Sequence, residues 1–126
     1  MEIYISEEAI IADIQRAFQE AYPCLKLEFY QQPHEIGQAS RIEQRIIPDT
    51  PIEDIRMMHT FGWIDISPQR TAADLEHDLR RRFGLSAQVL RRSGSLWLET
   101  TRTDHWTLAQ LNEAGRALKA TAAGQP

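Results

Sequence analysis

Apolar and polar residues alternate with a period of two from Glu2 to Ile5, which puts Ile3 and Ile5 on one side of a predicted half-buried strand and Glu2 and Tyr4 on the other. Ser6 follows as a predicted helix cap. Ile5 and Ile10 flank it at the spacing of a hydrophobic staple, and Glu7 and Glu8 complement the helix dipole. Ile10, Ile14, Ala17, Phe18 and Ala21 then recur at helical spacing until Pro23 stops the run. Leu25 to Tyr30 alternates again. Strand, helix and strand in this order predict a parallel β-α-β unit with a right-handed crossover.

Residues 31–49 are polar and broken by Pro33 and Gly37, which predicts an exposed loop, with Arg41 to Ile47 as a short edge strand ended by Pro48. Thr50-Pro51-Ile52-Glu53 has the form of a capping box with proline at the first helical position, opening a short helix through Met58. The second unit repeats the outline of the first. Trp63 to Ile66 alternates as a strand, and Thr71 with Asp74 caps a helix whose stripe is Leu75, Leu79 and Phe83. Arg80, Arg81 and Arg82 sit in its last turn, and Gly84 is a left-handed stop. Ser86 to Arg92 and Ser95 to Thr101 read as a hairpin turning at Ser93-Gly94. Thr107 with Gln110 caps a last helix with the stripe Leu108, Leu111 and Leu118, on which Gly115 permits close approach to what lies beneath.

The predicted fold is α+β: a mixed sheet of about five strands with helices mainly on one face, built from two β-α-β units. A ferredoxin-like arrangement is the nearest common scheme, and a β-grasp variant is the alternative. The 126 residues fit a single domain spanning 1–119, with 120–126 as a frayed tail.

No apolar run approaches the roughly 20 residues that span a bilayer, and no basic stretch with an apolar core of the secretory kind follows Met1. The single cysteine, Cys24, forms no internal disulfide and has no Cys partner for a metal site, which together with the missing leader predicts a cytoplasmic protein. Net charge is −4 but uneven, with −7 on residues 1–66 and +3 on residues 67–126. The acidic total argues against a general nucleic-acid binder, although Arg80 to Arg82 with Arg91 and Arg92 would form a basic patch if neighbours.

If the isoleucines and leucines of the strands face the helices, alternation sends Tyr4, Tyr30, Trp63, Leu90 and Trp97 to the opposite sheet face. In the hairpin register set by Ser93-Gly94, Leu90 lies opposite Trp97 and Arg92 opposite Ser95, so Leu90, Trp97 and Arg92 share a patch. An exposed apolar patch of this sort marks an association site, unless the 31–49 loop covers it. The leading expectation is therefore an interaction domain that forms a homodimer through Tyr4, Trp63, Leu90, Arg92 and Trp97. Stacking of single-stranded nucleic acid on the same rings is opposed by Glu2, Glu28, Asp65 and Glu99 on that face.

The densest group of reactive side chains is the strand-to-helix segment Thr100 to Thr107, where Arg102, Asp104 and His105 are the candidates for acid/base or ligand-binding work. The second expectation is a small enzyme or ligand binder with these residues lining a cleft. The competing explanation is that Asp104, Trp106 and Thr107 serve only to cap and staple the helix. His34, His59, His77 and His105 never pair at ligand spacing, and no glycine-rich phosphate loop or nucleophile elbow is present, so neither metal nor cofactor is expected.

The stretch Thr71 to Glu76, Phe83-Gly84-Leu85, Ser93-Gly94-Ser95-Leu96-Trp97-Leu98-Glu99-Thr100-Thr101 and Asp104-His105-Trp106-Thr107-Leu108 resembles a group of small uncharacterised bacterial proteins with no known activity. The resemblance implies a bacterial, cytoplasmic single domain. It transfers no site residue.

Overall fold

A computed structural model describes residues 1–31 and 45–124, with side chains described as far as Arg116 in the last helix. The elements are β1 (Glu2–Ile5), α1 (Ile11–Ala21), β2 (Leu25–Tyr30), a 3₁₀ turn (Ile52–Asp54), β3 (Gly62–Asp65), α2 (Ala72–Phe83), β4 (Ser86–Ser93), β5 (Leu96–Glu99) and α3 (Leu108–Gly124). Among the described residues no helix is long and apolar enough to cross a membrane. The expectation for the 31–49 loop falls largely outside what is described, while the tail expected to fray from Ala120 has helical backbone as far as Gly124.

The protein is α+β, but its strands do not form one mixed sheet. β1 pairs with β3 and β2 with β4, all antiparallel, and β5 extends the second pair into the order β2-β4-β5. The ferredoxin-like order is not confirmed, and the expected parallel β-α-β pairing is replaced. The reason lies in the helices. α1 packs on both β1 and β2, and α2 on both β3 and β4, so each unit sends its first strand to one sheet and its second to the other. Corresponding strands of the two units therefore pair with each other. One hydrophobic cluster still fills the interior, from Ile3, Ile5 and Ile64 of the first sheet through Phe18, Leu75 and Phe83 of the helices to Leu27 and Val89 of the second.

α1 begins at Ile11, four residues later than the Ser6 cap predicts. Its first N–H groups donate to carbonyls from the 48–50 segment, Ile11 to Thr50 at 2.9 Å and Ala12 to Pro48 at 2.8 Å, so the helix is capped by outside backbone. Asp13 accepts from the Ile10 N–H at 3.2 Å. The helix predicted through Met58 is a single 3₁₀ turn, Ile52–Asp54, with Pro51 before it. α2 matches its prediction closely. Thr71 Oγ1 accepts the Asp74 N–H at 3.0 Å, the Asp74 carboxylate accepts the Thr71 N–H at 3.3 Å, and Gly84 ends the helix at φ 69°.

The hairpin turns one residue later than predicted. Ser93 pairs with Leu96, so Gly94, at φ 61°, takes the first central position of the two-residue loop, where a left-handed residue fits. The register becomes Arg92 opposite Trp97 and Leu90 opposite Glu99. Gly115 of α3 lies where a Cβ would stand 2.9 Å from the Cys24 Cβ and 3.3 Å from the Arg92 carbonyl, so α3 rests directly on the ends of β2 and β4.

Candidate functional site

In an antiparallel pair the backbone groups of alternate residues point away from the partner. The Ile66 N–H donates to Met1 O at 2.8 Å, which sets the β1–β3 ladder and turns the N–H and C=O groups of Glu2, Tyr4, Trp63 and Asp65 outward. On the β3 edge the two outward carbonyls are taken. Arg82 Nη2 donates to Trp63 O at 3.1 Å and Arg70 Nη1 to Asp65 O at 3.1 Å. Glu2 and Tyr4 on the β1 edge have no such partner among the described residues.

The second sheet repeats the asymmetry. At the β2 edge Leu25 N–H donates to Tyr22 O at 2.9 Å, Gln15 Nε2 donates to Leu27 O at 2.9 Å and Ile46 N–H donates to Phe29 O at 2.8 Å. At the far edge Trp97 and Glu99 of β5 point their backbone groups outward, and among the described residues nothing receives them. Among the described residues each sheet thus has one edge met in part by other segments of the chain and one edge bare, a state that folded proteins ordinarily avoid for long strands.

The five residues predicted to share one exposed face are divided between the sheets. Tyr4 and Trp63 lie opposite each other at a non-hydrogen-bonded pair of the first sheet, 46% and 57% exposed, with ring centroids 5.1 Å apart in an edge-on arrangement. Leu90, Arg92 and Trp97 lie on the second. Leu90 is only 3% exposed and is not available as a surface residue, which corrects that expectation. Trp97 is half-buried, with Arg92 and Lys26 over its ring at 5.7 Å and 5.0 Å. Leu96 and Leu98, expected to face helices, are 64% and 41% exposed, since among the described residues the helices pack chiefly on the other strands and not on β5.

The reverse face of the second sheet, which carries Tyr30 and Trp97, is charged as well as aromatic. Glu28 is held by Lys26 at 3.2 Å and Arg45 at 3.6 Å, and Tyr30 and Gln88 are buried beside it. Burial pushes the Tyr30 phenol up, with the Arg45 charge acting against the shift. Burial likewise raises the Glu99 carboxyl, again opposed by Arg45.

The 100–107 segment is tied into the fold by its backbone. Asp104 O accepts the Ala73 N–H at 2.8 Å and Trp106 O the Ala72 N–H at 3.2 Å, so the loop caps α2 while Thr107 and Gln110 cap α3 reciprocally at 3.1 Å and 2.9 Å. Arg102 and His105 are exposed, Asp104 is intermediate, and no hydrogen bond or ion pair joins the three. The segment does bring in an acid that sequence reasoning missed. Glu76 of α2 accepts the Val89 N–H at 2.8 Å, and burial, with the nearby charges of Asp104 and Glu99, pushes its carboxyl up to about 8. Among the described residues no group of three or more His, Cys, Asp or Glu is placed to hold a metal ion. An open groove of about 300 Å³ is lined by Gln31, Arg45, Ile46, Ile47, Thr50, Asp54 and Ile55, and contains none of the predicted site residues.

The edge-closing roles of Arg70, Arg82 and Gln15 carry no sequence signal, since each looks like an ordinary polar position of a helix or turn. No protein-family model, curated protein or solved structure matches the chain.

Proposed function

We propose that the chain is a protein-interaction domain that self-associates through β5, two copies pairing antiparallel along their bare edges into one six-stranded sheet. The observation that carries this reading is the outward-facing backbone of Trp97 and Glu99 beside the exposed Leu96 and Leu98. A two-fold axis at Leu98 is self-complementary. It pairs Trp97 of one copy with Glu99 of the other through both backbone bonds and sets Leu98 against Leu98. On the opposite face it sets each Glu99 carboxylate beside the partner's Trp97, whose ring already carries Arg92 and Lys26. Charge and apolar surface both match. A reducing, cytoplasmic setting fits the lone buried thiol of Cys24.

Sedimentation equilibrium of the full chain tests this. The parent is expected as a dimer, and Leu98→Lys and Trp97→Ala as monomers with unchanged circular dichroism. A parent that stays monomeric at its highest soluble concentration, or a dimer indifferent to both substitutions, overturns the proposal.

A further inference from the structure

The bare edge of β1 differs in chemistry from that of β5. On the outer face of the first sheet, Glu2 stands opposite Asp65 and Tyr4 opposite Trp63, so two carboxylates lie one residue pair along from two exposed rings. Like charges across a strand pair are unfavourable, and here Asp65 is met by the Ser67 N–H and hydroxyl and by the charges of Arg70 and the N-terminus, while Glu2 has no such partner among the described residues. Pairing β1 with a second β1 would bring four such carboxylates onto one surface, which disfavours a second copy here. On the other edge of the same sheet Arg82 and Arg70 already take the outward carbonyls of Trp63 and Asp65, which favours β1 as the side for an added strand.

We infer that the β1 edge is a docking strip for an extended, lysine- or arginine-bearing segment of a partner protein, bound by strand addition. The guest backbone takes the outward N–H and C=O groups of Glu2 and Tyr4, and its alternate side chains fall on the outer face. Cationic side chains there meet the Glu2 carboxylate, with that of Asp65 behind it, and the faces of Tyr4 and Trp63. Phe61, exposed immediately before β3, supplies apolar surface at the end where Gly62 pairs with Ile5. The inference is independent of the β5 dimer, because it uses the other sheet.

The test is amide-resolved NMR of the full chain titrated with a short capped peptide alternating lysine and valine, and with its glutamate and valine counterpart. The basic peptide is expected to shift the Glu2 and Tyr4 amides and to slow their exchange, while the acidic peptide leaves them unchanged. Glu2→Lys is expected to weaken binding about fivefold or more, the size of a surface ion pair lost and a repulsion gained. Glu2→Pro removes an outward N–H that no intrasheet bond uses, and is expected to abolish binding. Equal response to both peptides, shifts centred on β5, no response at millimolar peptide, or full binding by a folded Glu2→Lys chain overturns the inference.

Discussion

The Glu76 carboxyl group accepts the Val89 N–H at the point where β5 leaves the sheet, so a side chain from α2 stands where a strand partner would otherwise continue. The Val89 carbonyl is taken by Thr100 through Oγ1 at 2.9 Å, which completes the pairing of that residue. The sheet is thereby finished by side chains at a place where it would otherwise expose buried backbone.

This arrangement makes stability fall with rising pH. The Glu76 carboxyl is raised from 4.5 to about 8, so between these values the folded chain holds a proton that the unfolded chain has released. The stabilisation is complete below 4.5 and lost as pH rises through about 8. Glu76→Gln keeps an acceptor for Val89 and removes the titration. Urea unfolding is expected to find the variant more stable than the parent by on the order of 1–3 kcal/mol near pH 9, and equal to it near pH 4.

Gly115 is the closest contact between α3 and the second sheet. Alanine is intrinsically better than glycine in a helix by about 1 kcal/mol, which alone would make Gly115→Ala stabilising. The added Cβ would lie 2.9 Å from the Cys24 Cβ and 3.2 Å from the Cys24 carbonyl, so α3 has to lift from β2 and β4. Overpacking of this kind costs about 1–3 kcal/mol, and a net lowering of the denaturation midpoint is expected.

Arg56 closes the C-terminal end of α2. Its buried guanidinium donates from Nη1 to Phe83 O at 2.9 Å and from Nε to Glu53 at 2.7 Å, and Glu53 also holds His59. The hydrogen bonds from His59 and Arg56 hold the Glu53 carboxyl below its ordinary range. Arg56→Met preserves the apolar stem but leaves the Phe83 carbonyl without its donor. A loss of about 2–4 kcal/mol is expected by thermal or urea unfolding, with Arg56→Lys intermediate.

Much of the local structure was legible because its signals are short-range. The Thr71 and Asp74 box, the Gly84 stop, the Leu75, Leu79 and Phe83 stripe and the Thr107 and Gln110 cap each depend on residues within one or two turns. Strand pairing does not. Alternation in β1 and β2 says which side chains face the core, but not whether the helix between them returns the chain to the same sheet, and here it does not. The cap of α1 was misplaced for a related reason: its donors are met by Pro48 and Thr50, about 40 residues along the chain. Of the candidate site, the exposed Tyr4 and Trp63 followed from parity alone. The burial of Leu90 and the exposure of Leu96 and Leu98 depend on how far the helical layer reaches, which parity does not encode.

Amide hydrogen exchange reads both bare edges directly. In β1 the N–H groups of Ile3 and Ile5 face β3 and are expected to exchange slowly, while those of Glu2 and Tyr4 face solvent and exchange fast. In β5 Leu96 and Leu98 face β4 and are expected to be slow, so dilute protein should show Trp97 and Glu99 as the fast residues. Raising the protein concentration separates the two edges. If β5 pairs with a second copy, Trp97 and Glu99 slow in proportion to the dimer fraction while Glu2 and Tyr4 remain fast, because mass action protects only groups buried in the complex. Slowing at β1 in place of β5 would move the self-association to the first sheet, and slowing at neither would leave the chain a monomer over that range.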